Sequence, residues 1–155
     1  MEITLEALLE QENVLQFIDF TNKDALAVGL FILEIAKEKF DKGIAVHIER
    51  DEYPLFTHYM DGTSDRNLYW VNAKKNVVKL YGNSSLYMDV KYNKQGIDFH
   101  EATGLPSSDY QAAGGSFPLI VRGQGRIGTI TVSGLTGEED HELAVEGIKK
   151  FLGIE

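Results

Sequence analysis

His47, Glu49 and His58 are the first residues whose types point to chemistry. Two imidazoles and a carboxylate suit zinc or iron. Whether they converge is a matter of strand register. The run GIAVHIER alternates Ile44, Val46 and Ile48 against Ala45, His47 and Glu49, the pattern of a half-buried strand. YPLFTHYM reads as its antiparallel partner across a tight turn at Asp51-Glu52. A two-residue turn puts both histidines and Glu49 on one sheet face. A shift of one residue sends the histidines to opposite faces and leaves two ordinary surface side chains.

A denser set lies between residues 112 and 148. Glu138, Glu139 and Asp140 could be taken for a metal cluster. Three carboxylates in a first helical turn are better explained by the positive end of the helix dipole. His141 follows them and falls in the apolar stripe of Ala144, Val145 and Ile148. It is either a core histidine whose N–H needs a partner or a group that lines a pocket. Lys74 sits inside the apolar arc of its own helix, whereas Lys75 sits outside. It either snorkels or meets an anion. Gly114-Gly115 precedes a strand and lacks the Gly-Lys-Ser/Thr of a phosphate loop, so it implies close backbone approach. No Ser–His–Asp order and no G-x-S-x-G run marks a covalent nucleophile.

These residues need elements to hold them. Thr21 with Asp24 has capping-box spacing, and Ala25, Leu26, Gly29, Leu30, Leu33, Ala36 and Phe40 recur at helical period, with Gly43 as a stop. Residues 63 to 82 read as a long helix. At about 100° per residue, Tyr69, Trp70, Val71, Ala73, Val77, Val78, Leu80 and Tyr81 sweep a wide apolar arc. So broad an arc predicts packing against the sheet and a second body, such as another subunit. SSLYMDVKYN continues as a helix or turn, and residues 93 to 111 read as the loopiest part. FPLIVRG and GRIGTITVSG are two strands around Gly123-Gln124-Gly125. Thr136 and Glu139 form a second capping box, and Gly153 ends the last helix. The order gives an α+β layered fold with a mainly antiparallel sheet in one domain, residues 1 to 155.

Composition narrows the functions. With no cysteine, disulfides, zinc-thiolate sites and iron–sulfur clusters are excluded, and a reducing compartment fits. A net charge of −9 repels nucleic acid and anionic membranes. The opening MEITLEALLEQENV is acidic and amphipathic, unlike a signal peptide or a membrane span. A soluble cytoplasmic protein is expected.

GGSFP, then GRIGTITVSGL, then EEDHELAVEGI resemble the GlcG/HbpS-like family, the haem-degrading domain. The upstream WVNAKKNVVKLYGNSSLYM resembles the helix of one branch, which also has a tryptophan, basic residues and a Ser-Ser pair. The resemblance implies a profilin-like fold, with an antiparallel sheet of about five strands flanked by helices. It implies dimers or larger assemblies. Some members bind haem or are linked to haem breakdown or glycolate use. His141, Asp140, Lys74 and Lys75 match the branch pattern. Ala113 departs from it, standing where branch members often carry histidine, and Ala73 stands where many carry a basic residue.

The resulting expectation is an oligomeric cytoplasmic domain that binds a small molecule. Its pocket is expected from Trp70, Lys74 and Lys75 on one helix, Gly114, Gly115, Ser116 and Phe117 at the strand start, and Ser133, Asp140 and His141 around the last turn. Backbone N–H groups at the last helix would favour an anionic group. Haem enters by family resemblance, with iron needing a histidine, methionine or tyrosine facing the pocket. Two alternatives stand beside this reading. One is a non-catalytic assembly or adaptor protein. The other is an enzyme, either haem-degrading or metal-dependent through His47, His58 and Glu49.

Overall fold

Short-range capping sets the helix starts. The computed structural model describes residues 3–155, so Met1 and Glu2 of the opening stretch lie outside the described residues. Thr4 caps α1 (Leu5–Val14). Thr21 and Asp24 close the expected box over α2 (Asn22–Lys39), which stops at Phe40, before Gly43. β1 (Ala45–Arg50) and β2 (Tyr53–Tyr59) form the hairpin. Ser64 and Asn67 make a further capping box for α3 (Asp65–Tyr81), and Gly82 ends it in the left-handed conformation. α4 (Ser85–Lys94) follows. The stretch read as loop holds a short helix, α5 (Phe99–Thr103), capped by Asp98 and closed by Gly104. β3 (Ser116–Val121) and β4 (Gly125–Ser133) flank the glycine turn. α6 (Gly137–Leu152) starts at the Thr136–Glu139 box and ends at Gly153.

The strands form one antiparallel sheet in the order β2-β1-β4-β3. This is four strands among the described residues rather than the expected five. A single parallel bridge, Phe17 to Val121, takes the place of a fifth at the β3 edge. There Phe17 N–H donates to Ile120 O and Arg122 N–H to Phe17 O, each at 2.8 Å.

Strand alternation sorts the two faces. Val46, Ile48, Phe117, Leu119, Ile130 and Val132 pack with α2 and α6 in the main core. On α2 the buried side is Ala25, Val28, Gly29, Ile32 and Ala36. Leu26 and Leu30, expected inward, are about half exposed, because the helix turns its glycine side to β2, with Gly29 against Phe56. The opposite sheet face is polar. His47, Glu49, Ser116, Thr129, Thr131 and Ser133 lie there, under α3. Ser116 and Thr131 hydroxyls pair at 2.8 Å, which meets the need of buried hydroxyls for partners.

The broad arc of α3 finds its second body inside the same chain. Val77 packs with Met88 and Phe99, and Tyr81, Tyr87, Tyr92, Leu105 and Tyr110 surround them. Residues 85–112 therefore cover the flank that pointed to another subunit, and of the helix's large apolar side chains Leu68 and Leu80 remain exposed. The arc is thus no argument for an oligomer.

Candidate functional site

β2 carries a bulge at Leu55, opposite the Ile48–Glu49 step of β1, so His47 pairs with Thr57 and His58 with Val46. That one-residue offset puts the two histidines on opposite faces. His58 is exposed on the α2 side, while His47 lies under α3. The candidate metal set of His47, His58 and Glu49 is therefore dispersed, and no group of three or more metal-ligating side chains exists among the described residues. Glu49, 2% exposed, instead gathers two lysines, with Lys75 Nζ at 2.8 Å and Lys79 Nζ at 3.6 Å, and hydrogen-bonds with His47 Nε2 at 2.8 Å. Burial opposes its charge, but the hydrogen bonds from His47 and Lys75 win and hold its pKa down at about 2.

The main cleft lies at the other end of the same face, with a volume of about 510 Å³. Arg66, Asn67, Trp70 and Lys74 of α3 form one wall. The β4–α6 turn supplies Ser133, Gly134, Leu135, Gly137 and Asp140. Lys42 and Gly43, before β1, and Gly62 and Ser64, before α3, complete the rim, with Ala113 beside them. Four expected site residues, Trp70, Lys74, Ser133 and Asp140, meet here. Lys42, Ser64, Arg66 and Asn67 were not expected. The Arg66–Trp70–Lys74 spacing, one helical turn per step, was the sequence signal for part of that set.

A buried ion pair backs the cleft. Lys74 Nζ donates to Asp140 Oδ2 at 2.9 Å and to Val132 O at 3.1 Å. Asp140 Oδ1 accepts from the Leu135 amide at 3.0 Å. The chain's own carboxylate therefore occupies the amide-lined turn expected to receive a ligand's anion. Burial pushes the Lys74 pKa down and the Asp140 pKa up, and their mutual attraction works against both shifts. The glycine pair makes room for this arrangement. A Cβ on Gly115, whose φ is +139°, would lie 2.6 Å from Lys74 Nζ and also strike Val132 O. A Cβ on Gly114 would meet the Gly137 backbone at the start of α6. Close backbone approach is thus the role of both glycines.

The remaining expected residues do not line the cleft. Ser116 and Phe117 are fully buried and, as neighbours in a strand, point to opposite faces. Lys75 belongs to the Glu49 cluster. His141 is 2% exposed, packs beside Phe117 at 5.8 Å between ring centroids, and pairs through Nε2 with Gln11 Oε1 at 2.8 Å. Its Nδ1 has no partner among the described residues. Burial drives its pKa down to about 4, so it is a neutral core histidine held by α1. No helix is long and apolar enough to cross a membrane among the described residues.

The fold is shared with several solved proteins. The crystal structure of Ybr137w superposes with a TM-score of 0.90 at 30% identity, covering 99% of this chain and 90% of that one. A haem complex of PduOC matches at a TM-score of 0.70 and 16% identity over 84% of this chain and 94% of that one, a likeness of fold. A UPF0303 protein of Streptomyces coelicolor is 39% identical over 150 residues, 97% of this chain and 94% of the relative. One from Azotobacter vinelandii is 40% identical over 148 residues, 96% of this chain and 89% of the relative. The family profile described as "Haem degrading protein HbpS-like" matches residues 20–149. With that match spanning most of the sheet and its covering helices, the chain belongs to the HbpS-like family of haem-degrading proteins.

Proposed function

We propose that the cleft binds a small anionic organic molecule, and that the chain acts as a cytoplasmic ligand-binding domain within a homo-oligomer. The carrying observation is local charge against the global trend. On a chain of net charge −9, Lys42, Arg66 and Lys74 share one cleft with a half-buried tryptophan. Asp140 neutralises Lys74, which leaves Lys42 and Arg66 as the cations for a ligand. Arg66 suits a carboxylate because its guanidinium donates in a planar fork. Trp70 offers a flat apolar surface beside it. Native mass spectrometry of protein purified from its own host tests both halves. Retained anionic mass that Arg66→Gln abolishes, on more than one subunit, supports the reading. A ligand-free monomer that also fails to bind a panel of organic acids overturns it.

Haem is the second reading, favoured by the fold shared with a haem complex. The main cleft does not fit it by iron ligation, since its lining includes no histidine, methionine, tyrosine or cysteine. An adjoining depression of about 440 Å³ shares Lys42 and Gly43 and carries His58, Tyr59 and Met60. Haem iron would find its axial ligands there. A Soret band that shifts on mixing with protein, and no longer does so in His58→Ala and Met60→Ala, supports this reading. A shift that survives both changes rejects it.

A further inference from the structure

Two of the three donor positions of the Lys74 ammonium are occupied within the chain, by Asp140 and Val132. Among the described residues the third has no acceptor, and Lys74 lines the cleft. Lysine buried to 3% exposure against a single carboxylate is a poor choice for simple anion binding, because its charge is already matched. It is a good choice for an amine that must surrender a proton. We infer that Lys74 is a carbonyl-reactive amine and that the cleft takes a 2-oxo acid, whose carboxylate meets Arg66 and Lys42 while its carbonyl carbon meets Lys74 Nζ. This rests on the anion-site reading and adds a covalent step to it.

The step balances within the chain. Asp140 takes a proton from the Lys74 ammonium. The freed nitrogen lone pair forms a bond to the carbonyl carbon, and the C=O π pair moves onto oxygen. One proton passes from nitrogen to that oxygen, giving a carbinolamine. Asp140 returns its proton to the hydroxyl, which leaves as water while nitrogen closes the C=N bond. The product is a protonated imine beside an Asp140 carboxylate, and no electrons are gained or lost. Burial prepares both partners, since it favours neutral lysine and neutral aspartic acid. Gly115 gives the nitrogen its seat, where any side chain would collide with it. The Trp70 ring, its centroid 6.0 Å from Nζ, provides a face for an apolar or aromatic substituent of the acid.

The test uses the full chain with phenylpyruvate and sodium cyanoborohydride, and phenyllactate as the matched acid without a carbonyl. Peptide mass mapping is expected to find the reduced adduct on Lys74, with little on its neighbour Lys75. Lys74→Arg is expected to lose the adduct while phenyllactate still raises the melting temperature. If phenyllactate stabilises the protein and phenylpyruvate leaves Lys74 unlabelled, the anion site stands and the imine is refuted. If neither acid stabilises and no adduct forms, both fall. Should Lys74→Arg not fold, the wild-type map decides alone: label spread evenly over surface lysines overturns the proposal.

Discussion

His141→Leu separates a neutral core histidine from a titrating one. With Gln11 Oε1 as acceptor, the neutral ring carries its proton on Nε2. Adding a second proton at Nδ1 puts an N–H where the described residues offer no acceptor. The folded pKa is about 4 against 6.5 for the ordinary group. Between those values the unfolded chain binds the extra proton and the folded chain does not. Stability is therefore intact above pH about 6.5 and falls as the solution is acidified toward pH about 4. The difference is worth about 3 kcal/mol, at about 1.4 kcal/mol per pH unit. Leucine fills similar space and cannot titrate. At pH about 7.5 the variant is expected to be less stable by about 1 kcal/mol, the net value of the lost hydrogen bond. By pH about 4 the balance is expected to move about 3 kcal/mol in its favour. Urea unfolding of both proteins across this range gives the difference directly, and comparison removes the contribution of every other acid group. Parallel curves, or a wild-type ring that titrates by NMR near 6.5, would refute the reasoning.

Thr136→Ala removes an N-cap whose hydroxyl accepts the Glu139 amide at 3.2 Å, and is expected to cost about 1 kcal/mol in urea unfolding. Gly115→Ala is expected to cost more than about 3 kcal/mol or to prevent folding, from its positive φ and the collision with Lys74 Nζ; expression yield and melting temperature report it. Asp140→Leu alone strands the buried Lys74 charge and is expected to cost about 3–5 kcal/mol, whereas Asp140→Leu with Lys74→Met recovers most of the loss. A double mutant no better than the single one would show that the Leu135 contact, not the ion pair, carries the stability.

Local signals in the chain were readable and distant ones were not. The boxes Thr21–Asp24 and Thr136–Glu139 are contacts three residues apart, so spacing alone reveals them. The β1–β2 bulge was invisible, because two consecutive apolar residues, Leu55 and Phe56, read equally well as ordinary strand, whereas the unpaired Leu55 moves His58 to the other face. α5 has only five residues and shows no periodicity of its own. The apolar width of α3 was legible, but not that residues 85–112 fold back to cover it. His141 could be placed in a core stripe, yet its partner Gln11 lies 130 positions earlier. In the cleft, Trp70, Lys74 and Asp140 were legible from composition against pattern, whereas Lys42 joins from a loop with no regular spacing to the rest.

The two borders of the sheet are not equivalent. At β3 the Phe17 bridge takes the Ile120 carbonyl and the Arg122 amide, while no strand pairs with the outer side of β2 among the described residues. The sheet therefore has a direction: a strand added at β2 would meet backbone groups still free to pair, and one added at β3 would first have to displace the Phe17 segment. That segment is anchored by its side chains as well as its backbone, since Leu15, Phe17 and Phe20 lie in the main core and the Phe17 ring packs against Phe20 and Phe151.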